Sequence, residues 1–248
     1  MKHRSVFFLI TTSCLFLALI QIGCQNEEQR NATKDSVAAT PAQQVVEEPR
    51  IPVNTPDGEP ARFAFRTGEV EMVYGGDFQG IRRMTFADYG MKQRQLDSAV
   101  PFSEKLSVVP PQRLAIITPQ IHGVINLRDG EGEKMPNNAY QQYREAWRTS
   151  SRPFGEIALE RTGIRLPDTV LMEKYLCRVY QQRGQTFIHT IWTWGGVPLR
   201  ETVVSSDGNS ASFTVDATSV TTDIPVNDSL FKFPYGYTLK EVPYGGGR

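Results

Sequence analysis

The sequence predicts an α+β domain: a curved antiparallel β-sheet, a half-barrel, closed by a short helical insert. Three observations lead there. Strand-like alternation separated by Gly and Asp turn signals fills residues 63–127. Helical spacing is confined to residues 137–163, and strand-like pattern returns from Tyr175 to Thr222. Runs of strands interrupted by one helical stretch fit helices packed on one face of an antiparallel sheet.

Taken in order, residues 63–74 alternate for much of their length and meet the turn signal Gly75-Gly76, so one face of that strand can be buried. Residues 80–86 read as a second strand, Asp88-Tyr89-Gly90 as its turn and residues 91–96 as its partner. Strands at 113–118 and 122–127 follow, and the run from Asp129 to Glu133 closes the group. Asn137 and Asn138 can cap a helix on which Tyr140, Tyr143 and Trp147, at spacings of three and four, form an aromatic stripe. A second short helix starts at Pro153, turns Ile157 and Ala158 inward and ends at Gly163. Strands are then expected at 175–181, 185–194, 197–204 and 210–222, the last two joined by the hairpin signal Asp207-Gly208. Residues 186–194 carry apolar side chains on both faces, so that strand lies centrally or lines a cavity.

Ahead of this domain the chain has a different grammar. Met1-Lys2-His3-Arg4 is basic, and residues 5–22 are almost uncharged and mainly apolar, but Thr11, Thr12, Ser13 and Gln21 interrupt them. That suits a signal peptide better than a permanent span, which needs about 20 consecutive apolar residues. Gln21-Ile22-Gly23-Cys24 resembles the bacterial lipoprotein signal, in which the cysteine receives lipid and becomes the new N-terminus. Gln21 departs from the family, which prefers Leu or another apolar residue there. The resemblance implies removal of residues 1–23 and a membrane anchor at Cys24, held by acyl chains at about 0.8 kcal/mol per buried CH₂. Gln25, rather than Asp, follows the cysteine, which under the enterobacterial sorting rule implies the outer membrane of a bacterial envelope. Residues 24–60, rich in Glu, Gln, Asn, Thr, Ala and Pro and without an aromatic residue, read as a flexible tether. The folded domain is expected over 61–242, with a flexible tail at 243–248.

Lys plus Arg and Asp plus Glu are each 27, so net charge is zero, which argues against a nucleic-acid partner. Of three cysteines, Cys14 leaves with the signal and Cys24 carries lipid, so Cys177 is left without a disulfide partner and reads as a small buried hydrophobe. Catalytic groupings are missing from the pattern. His122 and His189 stand on separate strands. Asp129, Glu131 and Glu133 begin like a calcium loop, but Lys134 replaces the required Gly and Tyr140 the bidentate Glu. Residues 208–212 fail the nucleophile-elbow pattern, residues 75–80 lack the Lys and Ser/Thr of a phosphate loop, and Glu69 and Glu71 read as surface carboxylates. No catalytic residue, metal ligand or cofactor site is expected.

The second half also carries a resemblance. Residues 173–180 (EKYLCRVY), 191–199 (IWTWGGVPL), 216–220 (DATSV) and the stretch from Ile224-Pro225 through 231–236 (FKFPYG), with 84–90 (MTFADYG) ahead of them, resemble a group of uncharacterised bacterial envelope proteins. These are similar to the outer-membrane lipoprotein-sorting carriers, the Lol-type superfamily. The resemblance spans residues 65–236 and implies an antiparallel half-barrel closed by helices around an apolar cavity, which in the carriers receives acyl chains. That group usually has Gly shortly before the cysteine of the first motif, where this chain has Lys174-Tyr175-Leu176.

Tyr140, Tyr143, Trp147, Phe187, Ile191, Trp192 and Trp194 are the residues to weigh. Either they pack helix against sheet in a filled core, or part of the set lines a ligand cavity. The leading expectation is a membrane-anchored, non-catalytic domain binding a lipid, an acyl chain or a lipidated partner in that cavity. The alternative is an envelope protein-interaction or structural module with a filled core and no small-molecule ligand.

Overall fold

A computed structural model of the chain describes residues 55, 60–102, 111–137, 140, 152–208 and 210–242. The signal peptide, Cys24, most of the expected tether, Tyr143, Trp147 and the 243–248 tail lie outside the described residues. The rest is mostly β: one large, open, curved sheet with a single described helix.

Strands β1 (Gly68–Gly76), β2 (Phe78–Ala87), β3 (Lys92–Pro101), β4 (Gln112–Ile117), β5 (Ile121–Asn126) and β6 (Glu131–Pro136) form a meander. Helix α1 (Phe154–Thr162) lies on the link to a second meander, β7 (Ile164–Leu171), β8 (Tyr175–Arg183), β9 (Phe187–Trp194), β10 (Val197–Ser205) and β11 (Phe213–Thr222). A short β12 (Thr238–Glu241) completes the order β12-β6-β5-β4-β3-β2-β1-β11-β10-β9-β8-β7. All neighbours are antiparallel except β12 with β6. The two meanders therefore join along β1 and β11 at the middle of the sheet, and the α1 link runs from one side of the sheet to the other.

Local chemistry accounts for the turns. Gly195 (φ 54°) and Gly196 (φ 84°) supply the two positive-φ residues of a tight turn that sets Trp194 opposite Val197. Helix α1 begins after Pro153 and ends at Gly163, as the sequence indicates. Its buried residues are Phe154 and Glu156, however, with Ile157 and Ala158 only half-buried. A carboxylate can occupy the inward position because partners on the sheet await it. Residues 63–67, expected as strand, are bends, and β1 starts at Gly68.

Three strands, β6, β7 and β12, escape the sequence pattern. β7 is mostly exposed, and Pro167, with a register shift between Leu166 and Thr169, interrupts its ladder, as befits an edge strand. Residues 131–133, expected to close a turn, begin β6. Against β6 lies the C-terminal strap, which leaves β11 at Asp223 (φ 57°), forms a 3-10 turn over Asp228–Phe231 and pairs as β12. The strap builds a small hydrophobic core of its own, in which Phe233 and Leu239 pack on Leu114, Ile116 and Ile125. Two missing side chains make its seats. A Cβ on Gly123 would lie 2.4 Å from the Phe233 ring, and one on Gly132 would lie 2.9 Å from Leu239.

Gly123→Val is therefore expected to displace Phe233 and cost about 1–3 kcal/mol, a typical overpacking penalty. Hydrogen exchange should accelerate in residues 238–241 while β1 and β2 keep their protection; unchanged exchange in β12 would show that the strap does not depend on this seat.

Candidate functional site

On one face of the sheet, Arg113, Asp97 and Arg82 stand directly opposite one another on β4, β3 and β2. On the same face Tyr74, Val215, Glu201, Ile191 and Tyr180 form a row across β1, β11, β10, β9 and β8. Arg82 and Glu201 are three inter-strand steps apart, about 14 Å on a flat sheet. Yet Arg82 Nη1 lies 2.8 Å from Glu201 Oε1. The sheet must curve toward this face, which is its inner one.

The inner face carries a continuous polar network. Arg82 Nε donates to Asp97 Oδ1 at 2.6 Å, and Arg82 Nη2 donates to the Tyr74 hydroxyl at 3.0 Å. Tyr74 in turn donates to Asp97 Oδ1 at 2.8 Å. Arg113 Nε and Gln95 Nε2 occupy Asp97 Oδ2 at 2.9 and 2.8 Å. His189 Nε2 lies 3.3 Å from Glu201 Oε2. The Asp97 side chain is 0% exposed and that of Arg82 6%. Burial opposes the charge on Asp97, but the guanidiniums of Arg82 and Arg113 outweigh it and hold the carboxyl at about 2. Glu201 is likewise held at about 2, against burial, by Arg82 and then by His189. Burial pushes the Tyr74 hydroxyl up, so it stays a donor.

A second buried carboxylate fixes α1 to the same face. Glu156 accepts from Arg178 Nη1 at 2.6 Å, from the Gly196 N–H at 3.1 Å and from Thr193 Oγ1 at 3.4 Å. Beneath the helix, burial raises the Tyr180 hydroxyl to about 12, with Glu156 and Glu160 adding to the effect. Burial also raises the Cys177 thiol to about 12, leaving it unreactive. Among the described residues no group of three or more His, Cys, Asp or Glu could hold a metal ion. Glu69 and Glu71 both pair with Arg83 at the surface.

The structure divides the aromatic set. Tyr140 packs with Met91 and Phe154, next to a gap of about 40 Å³. Ile191 lies on the inner face, as does half-buried Phe187 four residues earlier on the same strand. Alternation sends Trp192 and Trp194 to the other side of β9. There Trp192 lies under the Arg200 guanidinium, 5.7 Å from its ring, while Arg200 also pairs with Asp216. Trp194 is held between Phe65 and Tyr175, at centroid distances of 4.3 and 4.6 Å. Tyr140 and Trp194 thus line two different gaps.

Trp194 does line a socket of about 150 Å³, together with Lys174, Tyr175, Val220 and Thr222. These residues come from the start of β8, the end of β9 and the end of β11. Sequence reasoning found Trp194 but not its companions. Lys174 and Tyr175 fall within residues 173–180, yet only the order of strands brings β11 near them.

No family model and no curated protein matches the chain. Among solved structures, an uncharacterized conserved protein from Thermus thermophilus is similar at 9% identity and a TM-score of 0.43, over 71% of this chain and 91% of that one. PNGF-II is similar at 14% identity and a TM-score of 0.38, over 72% of this chain and 31% of its own. A Pseudomonas aeruginosa MucA/MucB complex contributes a chain at 10% identity and a TM-score of 0.36, over 68% of this chain and 56% of that chain. This chain thus spans less than two thirds of the last two. Likenesses this distant assign no function.

Asp97→Asn should destabilise the domain by about 3–5 kcal/mol in chemical denaturation, the cost of leaving buried guanidiniums undercompensated. Acid should act through the same groups. Asp97 and Glu201 have ordinary values of 3.8 and 4.5 but sit at about 2 when folded, so the stability they add is present above pH 4.5 and lost as pH falls toward 2. Denaturation midpoints measured across this range should fall more steeply in the wild type than in Asp97→Asn.

Proposed function

We propose that this chain is a non-catalytic envelope module, anchored through lipidated Cys24, that binds a protein partner and keeps its inner sheet face occupied by its own side chains. One observation carries the reading: the Arg82–Glu201 bridge crosses the inner face of the sheet, where a half-barrel carrier would need open space. Among the described residues the socket beside Trp194 is about 150 Å³ and the gap beside Tyr140 about 40 Å³. Pockets that enclose a lipid-sized or drug-sized ligand run to about 300–1,000 Å³. The filled-core alternative therefore has more support than an acyl chain held under the helix.

Other features agree with it. Cys177, a nucleophile by type, is buried with its thiol raised, and His189 is engaged with Glu201 rather than set in a cleft. The ordered motifs that resemble the Lol-type superfamily fit an envelope setting for the module. The lipoprotein-like Gln21-Ile22-Gly23-Cys24 gives it a route to the membrane, with the outer membrane as the destination that Gln25 suggests.

Two measurements test the proposal. A fatty-acid probe should label the wild-type protein and fail to label Cys24→Ser; label persisting in the variant overturns the anchor. Protein purified from its own envelope should show, in native mass spectrometry, the covalent lipid alone. A stoichiometric non-covalent lipid would overturn the protein-partner reading in favour of a carrier.

A further inference from the structure

We infer that the Tyr175–Trp194 socket is the contact point of this module, receiving a single aromatic side chain that the protein partner presents next to a carboxylate. The inference rests on the interaction-module reading and names the chemistry of the partner. Size comes first. At about 150 Å³ the socket matches the engineered apolar cavity that takes up one benzene ring. The socket opens to solvent, and its volume suits one ring.

The walls suit a ring as well. Tyr175 and Trp194 stand 4.6 Å apart with planes inclined at 58°, and offset or edge-on contact is what a further aromatic group prefers. Phe65, from the segment leading into β1, backs Trp194 at 4.3 Å, so the wall is supported from behind. The Trp194 indole N–H is buried and has no acceptor among the described residues, which makes this wall one of the least satisfied parts of the described interior.

Charge selects the neighbour of the ring. Lys174 is exposed, its ammonium lies 4.9 Å from the Tyr175 ring centroid, and among the described residues no carboxylate pairs with it. A carboxylate beside the incoming ring would complete that ammonium. On the same hairpin Val170, Met172 and Leu176 are 55%, 45% and 38% exposed, with Val170 and Leu176, which pair with each other, on the face opposite Tyr175. Met172 and Glu173, both at positive φ, form the tip of the hairpin. A ring-sized recess beside a cation that has no carboxylate partner among the described residues resembles the anchor pocket of a protein interface.

The full chain can be titrated with phenylacetate, a ring bearing a carboxylate, while the tryptophan indole resonances are followed by NMR and assigned with Trp194→Phe. Phenylacetate is expected to shift the Trp194 resonance and leave that of Trp192 in place. Lys174→Glu, at an exposed position, should weaken the effect about fivefold, the scale of an exposed charge pair. A Trp194 resonance unmoved at tens of millimolar, or an equal response in Lys174→Glu, overturns the proposal. Photoreactive side chains at Thr222 and at Val73, on the outer face, separate the two levels. A partner captured from Val73 but never from Thr222 overturns the socket and leaves the module standing. Decanoate shifting Trp194 where phenylacetate does not would overturn both.

Discussion

Arg82 holds two halves of the sheet in one shape. Its guanidinium reaches Asp97 on the neighbouring strand and Glu201 three strands away in the other meander. A buried cation of this kind is costly unless its counter-charges are fixed within hydrogen-bond distance. Curvature is the condition that fixes them: flattening the sheet would withdraw Glu201 from Arg82, leaving Arg82 with Asp97 and Glu201 with His189. The network also balances, with Arg82 and Arg113 against Asp97 and Glu201, so it can be buried without forcing a net charge into the interior. Space that a carrier would leave open is consumed in doing so.

How much of this was legible in the sequence depends on the range of the interaction. The strands from Phe78 to Asn126 and from Tyr175 to Thr222 follow from alternation and turn residues, which act over a few positions. Pro153 and Gly163 delimit α1 for the same reason. The buried network is invisible at that range, because Arg82 and Glu201 look like surface charges until the register places them on one face. Glu156 misled the reading of α1 in the same way: it is buried only because Arg178 and the Gly196 amide wait on the sheet.

The candidate site shows the limit most clearly. An aromatic set read as one group is split by the two-residue period of β9, which separates Ile191 from Trp192 and Trp194. β7 was hidden by Pro167, and β12 by its short length and by the glycine seats that hold the strap from the far side of the sheet. Position in the sheet, more than residue type, separates an aromatic that packs from one left at a socket.

The seam between β1 and β11 sets the order in which this architecture can assemble. Each meander can grow from neighbouring hairpins, whose loops close quickly, whereas the seam joins positions as far apart as Thr67 and Ile224, separated by 157 residues. A chain synthesised from its N-terminus therefore completes the β1–β6 meander long before β11 exists, and β1, at the middle of the finished sheet, waits as an unpaired edge. Its inward residues Val70 and Met72, fully buried at the end, are then unprotected. The strongest ion-paired interior belongs to the finished protein, but the most vulnerable moment belongs to that waiting strand, whose burden falls on whatever keeps the young chain from associating with its neighbours.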